Sequence, residues 1–242
     1  MKKFTFILST LLAASLLLAG CGKDNDAAPA SSSSASNGFN TLEAGKMPET
    51  TGEIIKHNDS IDPASINLIQ FDAPASDAPV ATIKTSMGDI KVVLYPNEAP
   101  KTVEQFTSKA TSGDYNNSKF GEVVPSVQVT NSDKNGTDNK EYSLNLWHFN
   151  GAVAMSAEGS FYIVQNNRIN DDLIGKMVDA AFPEKVCNQY LKSGGVPNYD
   201  FRDTVFGQVI EGMEIVEKIA AVERDASNAP KEDVTITAIE VA

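Results

Sequence analysis

The chain has two cysteines, two histidines and one tryptophan in 242 residues, and only 20 Lys and Arg against 32 Asp and Glu. Two cysteines exclude a disulfide-rich scaffold. The histidines, His57 and His148, lie far apart, so no metal site is expected, and no cofactor. The shortage of basic residues gives a formal charge of −12. A nucleic-acid partner is excluded on that ground, because phosphate binding needs clustered Lys and Arg. No apolar run is long enough to span a bilayer, which takes about 20 residues. Against these scarcities, hydrophobic residues make up 41% of the chain, enough for a sizeable core. The length suits one domain with extras, or two small domains.

The chain opens with Lys2 and Lys3, an apolar stretch from Phe4 to Leu18, and Leu18-Ala19-Gly20-Cys21. Charge, core length and small residues mark 1–20 as a signal peptide. Small residues directly before a cysteine resemble the lipobox of bacterial lipoproteins, which implies lipidation of Cys21 after cleavage. Diacyl chains would then hold the protein outside the cytoplasm, at the membrane surface, without spanning it. Loss of Lys2 and Lys3 leaves 18 basic and 32 acidic residues, a charge of −14. Such a charge is repelled by an anionic membrane, so the tether alone does the anchoring. Cys187 becomes the only thiol and reads as a small core residue.

Residues 21–65 read as a flexible tether, richest in Ser, Ala, Asp and Pro up to Gly38. The apolar islands Ile54-Ile55 and Ile66-Asn67-Leu68-Ile69 suggest partial docking, with a short strand at 68–71. The globular domain spans 66–242, with its core at 80–242. There, 81–85 and 90–95 alternate around a turn at Ser86-Met87-Gly88-Asp89 and read as a hairpin. Pro100 to Gly113 reads as a helix, with Val103, Phe106 and Ala110 on one face. Short strands follow near 123–124, 127–129, 151–155, 160–165, 204–210 and 234–241, with helices at 183–191 and 213–221 and a polar loop at 134–140. Many short strands with few helices predict a closed β-barrel with helices at its ends.

The blocks Ala81-Thr82-Ile83-Lys84-Thr85-Ser86-Met87-Gly88-Asp89-Ile90, Ala99-Pro100-Lys101-Thr102-Val103-Glu104-Gln105-Phe106 and Thr204-Val205-Phe206-Gly207-Gln208-Val209-Ile210-Glu211-Gly212-Met213 resemble a cyclophilin. The resemblance covers 80–242. It implies a mainly β fold, an eight-stranded antiparallel barrel capped by two α-helices, and 170–195 resembles a helical insertion of some bacterial members. It also implies peptidyl-prolyl cis-trans isomerisation, with proline-containing peptides or exported proteins as partners and the protein acting as a monomer.

That reaction must lower an amide barrier of about 18–20 kcal/mol by favouring the twisted bond over both planar forms. A hydrophobic pocket holds the proline ring, and a fixed cation or donor engages the twisted amide. The family's cation is an Arg in a Phe-His-Arg-Val block. This chain reads Phe120-Gly121-Glu122-Val123, so Glu122 stands at the Arg position. A carboxylate cannot donate to a lone pair, and its charge has the wrong sign. By the same resemblance Val127, Gln128 and Thr130 replace a pocket Phe, a Met and a Gln. Ser160 and Tyr162 replace a Gln and a Phe, and Tyr199 and Asp203 replace a Leu and a His. Phe120, Val127, Gln128, Thr130, Ser160, Tyr162, Tyr199 and Asp203 are the groove candidates, and no catalytic residue is intact. Arg202 is either a surface loop residue or a rescuing cation paired with Glu122, and Trp147 is either core or a groove platform. Three functions follow: an extracytoplasmic isomerase and folding factor, weak or inactive through Glu122; a non-catalytic module that binds proline peptides or a protein; and, least supported, a solute-binding lipoprotein.

Overall fold

The computed structural model describes residue 48 and residues 50–242. The signal segment, Cys21 and the tether up to residue 47 lie outside the described residues. The described residues nevertheless include regular structure well before residue 66. A helix, α1 (Thr51–Asp59), occupies part of the expected tether. Thr50 and Glu53 form a reciprocal capping box: the Glu53 N–H donates to the Thr50 hydroxyl, and the Thr50 N–H to the Glu53 carboxylate. Asn58 donates to the Ala180 carbonyl at 2.8 Å, and Lys185 to the Ile66 carbonyl at 2.6 Å. Together with the burial of Ile66, these contacts fix 50–66 to the domain.

Eight antiparallel strands close a barrel: β1 (Val80–Thr85), β2 (Gly88–Leu94), β3 (Ser118–Val124), β4 (Gln128–Asn131), β5 (Ala152–Met155), β6 (Phe161–Val164), β7 (Thr204–Glu211) and β8 (Thr235–Val241). Their order around it is β1-β2-β7-β5-β6-β4-β3-β8. Helices α2 (Pro100–Ser112) and α5 (Met213–Ala220) pack against the barrel core. Pro100 opens α2 and Gly113 ends it at φ 79°, a conformation glycine adopts without steric cost. The expected barrel, its two capping helices and the helical insertion are all present. The insertion holds α3 (Asp171–Asp179) and α4 (Glu184–Ser193).

Burial falls into three clusters. The barrel interior takes Ile83, Ile90, Val92, Phe120, Val129, Val153, Phe161, Ile163 and Phe206, with Phe106 of α2 and Val216 of α5. A second core lies outside it and gathers Ile66, Tyr142, Trp147, Phe149, Met177, Val186, Tyr190 and Phe201. A third, smaller cluster contains Ala152, Ala154, Tyr162, Val164 and Val205. Strands β5 and β6 are buried at every position because alternate residues serve two clusters: Val153 and Ile163 belong to the barrel core, Ala154 and Tyr162 to the third cluster.

Segment 68–71 is not a strand. Ile69–Phe71 is a single 3-10 turn. Leu68 packs on the second core and Ile69 on the third, while Gln70 turns inward between them. Gln70 Nε2 donates to the Trp147 carbonyl (3.0 Å) and to Gln208 Oε1 (2.8 Å), and its Oε1 accepts from the Trp147 N–H (2.8 Å). Three successive side chains pointing three ways need a helical turn; two-residue alternation cannot supply it. Cys187 is a buried core residue, as expected, and burial pushes its thiol pKa up.

Candidate active site

The strand carrying Glu122 is irregular at that point. Phe120 pairs with Asn131 and Glu122 with Thr130, so β3 carries one extra residue, Gly121, in a β-bulge. Phe120 and Val123 are both in the barrel core, a spacing of three that simple alternation would not allow. The bulge absorbs the difference and brings Glu122 out, exposed, on the barrel's outer side. A Cβ at Gly121 would come within 2.9 Å of the Ser132 Cβ, so this chain leaves no room for a side chain there without a shift of Ser132.

Glu122 opens onto a cleft of about 600 Å³. Gln128 and Thr130 of β4, Ser160 and the Arg202-Asp203 loop also line it. Ser156, Glu158 and Lys134 complete the rim. Gln128 Nε2 donates to Thr130 Oγ1 at 3.1 Å, and Ser160 Oγ to the Asp133 carbonyl at 2.9 Å. The structure thus brings Gln128, Thr130, Ser160 and Asp203 into one cleft with Glu122.

The other candidates lie elsewhere. Phe120 is 1% exposed inside the barrel, because its place on β3 points inward; it is a core residue. Tyr162 is fully buried in the third cluster, against which Val127 and Tyr199 pack half-buried. Trp147 is also fully buried, its Nε1 donating to the Leu144 carbonyl, so it is core and no groove platform.

Arg202 does not pair with Glu122. Its Nη2 and Nε donate to the two Asp203 oxygens at 2.9 and 3.2 Å, and its guanidinium lies 3.7 Å from the centre of the Tyr199 ring. Burial works against the charged guanidinium, but the Asp203 bond and charge outweigh it and raise its pKa. Asp203, its side chain 2% exposed, also accepts from the Tyr162 hydroxyl at 2.9 Å. Burial, reinforced by Asp203, holds the Tyr162 phenol well above its ordinary pKa, so it stays a donor. Lys134 is bonded to Glu158 across the rim. Lys119 turns away, as strand alternation predicts, and pairs with Asp233 at 2.9 Å. Sequence reasoning missed Lys134, Ser156 and Glu158. They sit in loops, and only the fold brings them beside β3.

The family model described as cyclophilin type peptidyl-prolyl cis-trans isomerase/CLD matches residues 80–241. The chain belongs to the cyclophilin family. This cyclophilin is 33% identical over 174 residues to a Staphylococcus saprophyticus protein named "Putative peptidyl-prolyl cis-trans isomerase", covering 65% of this chain and 88% of the other. It is 34% identical over 191 residues to a Streptococcus pyogenes protein named as a bifunctional phosphatase and peptidyl-prolyl isomerase. That match takes in 71% of this chain but only 40% of the streptococcal one. Among solved structures, a Cryptosporidium parvum cyclophilin type isomerase superposes with a TM-score of 0.53 at 19% identity, over 68% of this chain and 97% of its own. At that identity the superposition bears on the fold alone.

Proposed function

We propose that this cyclophilin is a lipid-anchored, extracytoplasmic protein that engages proline-containing segments of exported proteins and isomerises them weakly or not at all. One observation carries the reading: the cleft presents a carboxylate, Glu122, where the family places its catalytic cation, while the nearby guanidinium of Arg202 is committed to Asp203 and Tyr199. Stabilising the twisted amide needs a donor aimed at the regained lone pair. Glu122 cannot donate. Redirecting Arg202 would leave Asp203, a carboxylate 2% exposed, without its cation and with the Tyr162 hydroxyl as its remaining partner among the described residues, which is unfavourable.

Val127, half-buried over the third cluster, still offers an apolar rest for a proline ring. The anchor reading is carried by the Leu18-Ala19-Gly20-Cys21 block. The test is an X-Pro isomerisation assay of the full chain beside Glu122→Arg. The native protein should stay near the uncatalysed rate, and the variant should gain about tenfold in kcat/KM, a fraction of the roughly 100-fold a preorganised donor supplies. Robust native turnover would sink the weak-activity reading. In the same cells, Cys21→Ala should release the protein from the membrane fraction; an unchanged distribution would end the anchor reading.

A further inference from the structure

We infer that Glu122 sets the ligand class of the cleft: proline-containing segments that carry a Lys or Arg close to the proline. This rests on the peptide-binding reading above and names the substrate class of that same site.

The argument turns on which charges in the cleft are already used. Five ionisable residues line it: Glu122, Glu158 and Asp203 are acidic, Lys134 and Arg202 basic. Arg202 holds Asp203 through both oxygens. Lys134 holds Glu158. Glu122 is exposed and, among the described residues, interacts with Lys134 through its charge but makes no hydrogen bond or ion pair. An acidic ligand group must therefore compete for a cation that is already engaged. At Arg202 it finds Nη1 outside the Asp203 pair but the guanidinium charge already offset by Asp203, a carboxylate 2% exposed that Tyr162 also holds. A basic ligand group displaces no bonded partner, because the carboxylate it meets on the cleft wall is only in the field of Lys134, whose charge is offset by Glu158.

The bulge at Gly121 makes this arrangement possible. It turns Glu122 outward on a strand whose neighbours Phe120 and Val123 are locked in the core, so the carboxylate is presented from a rigid frame. A fixed charge loses little freedom on binding and discriminates better than one on a mobile loop. The overall charge of −12 adds long-range attraction for the same class of ligand. Like-signed ligands are rejected as much as opposite ones are favoured, which is how a single charge produces specificity.

The experiment titrates the full chain with proline peptides labelled with an uncharged dye and read by anisotropy. One series carries Lys at each of the two positions before and after the proline, a second carries Glu there, and a third carries Ala. At low salt, Lys should bind about fivefold tighter than Ala at one position at least, the upper range for an exposed ion pair, and Glu should bind weaker than Ala. Half-molar salt should erase the difference. Glu122→Gln should level the three series, and Glu122→Arg should invert them. Glu217→Gln removes the same charge from the exposed side of α5 and should leave the order intact. A Lys preference that survives Glu122→Gln, or equal binding of all three series, overturns the inference while peptide binding stands. Failure of every peptide, Ala included, overturns the peptide-binding reading and this preference with it.

Discussion

The barrel interior and the second core are built on different principles, although both bury large aromatic groups. The barrel interior gathers a large apolar cluster, and its walls are one continuous hydrogen-bonded ladder of eight strands. The second core has no sheet of its own. It is assembled from pieces far apart in sequence: α1 and the segment to Leu68, the loop 142–149, the insertion, and Phe201. What joins these pieces is a set of side-chain hydrogen bonds through buried polar groups. Gln70 bridges Trp147 and Gln208. Asp200 accepts from the Tyr190 hydroxyl (2.7 Å) and the His148 N–H (3.0 Å), and pairs with the His148 ring at 2.8 Å. Loss of one side chain leaves the backbone bonds of a ladder in place. A core joined by side chains comes apart where one partner is removed, since a buried polar group is left unpaired.

The contrast can be broken at its strongest point first. Phe106 packs its ring against Tyr115, Phe161 and Phe206 at 5.1–5.5 Å and is fully buried. Phe106→Ala should cost about 3–5 kcal/mol, as large-to-small changes in close-packed cores do. Denaturant unfolding followed by circular dichroism should show a lower midpoint for the whole domain. If only part of the molecule were to melt, the barrel would not be the cooperative unit described here.

A smaller effect, confined to the second core, is expected from Gln70→Ala. It removes three hydrogen bonds at once and leaves the Trp147 N–H unpaired, for about 1–3 kcal/mol. Limited proteolysis should cut faster within 60–79, and Trp147 fluorescence should redden, while barrel amides keep their hydrogen-exchange protection. Equal loss of protection in β1 and β2 would show that the two cores do not open separately.

The smallest effect is on pH, and it separates the cores by window. His57 sits in α1 against the rings of Tyr142 and Phe201, with Nε2 buried and unpartnered, and burial lowers its pKa below 6.5. The unfolded chain therefore binds this proton first, and the second core loses stability as pH falls below 6.5 toward the folded value. Asp133, beside α2, behaves differently. Burial alone would raise its pKa, but the Lys109 bond and charge and the Asn135 N–H outweigh burial and hold it below 3.8. Its contribution is complete above that value and is lost only as pH falls further. Acidification should therefore redden Trp147 fluorescence before barrel circular dichroism changes, and His57→Phe should flatten the first transition. Simultaneous transitions would contradict the assignment.

The same division explains what the sequence shows plainly and what it hides. β1, β2, β7, α2 and α5 carry their own periodicity, so each is legible alone. α1 is not: Thr51–Asp59 has only Ile54 and Ile55 as apolar residues, and it is held because its Asn58 donates to the Ala180 carbonyl and Ile54 packs on the second core. The 68–71 segment looked like a strand because it is apolar, but each side chain answers to a different neighbour. At the site, Glu122 is legible in the short block Phe120-Gly121-Glu122-Val123. The placement of Phe120 inside the barrel is not, because it depends on a bulge that only the β4 register reveals. Nor could sequence show that Arg202 turns to its own neighbour Asp203, a contact held by Tyr199 three residues before it and by Tyr162 from a distant strand.

The last strand, β8, lies between β1 and β3, with Ala81 opposite Val241 and Ser118 opposite Ile236. Closure of the barrel therefore waits for the residues of β8 to be made. Until they arrive, β1 and β3 each present an open edge, the kind of surface that recruits strands from other molecules. Pairing ends so far apart is also slow, on the order of milliseconds to seconds for domains dominated by distant contacts. Time spent half-closed, more than stability once closed, sets how this molecule is exposed to misassembly.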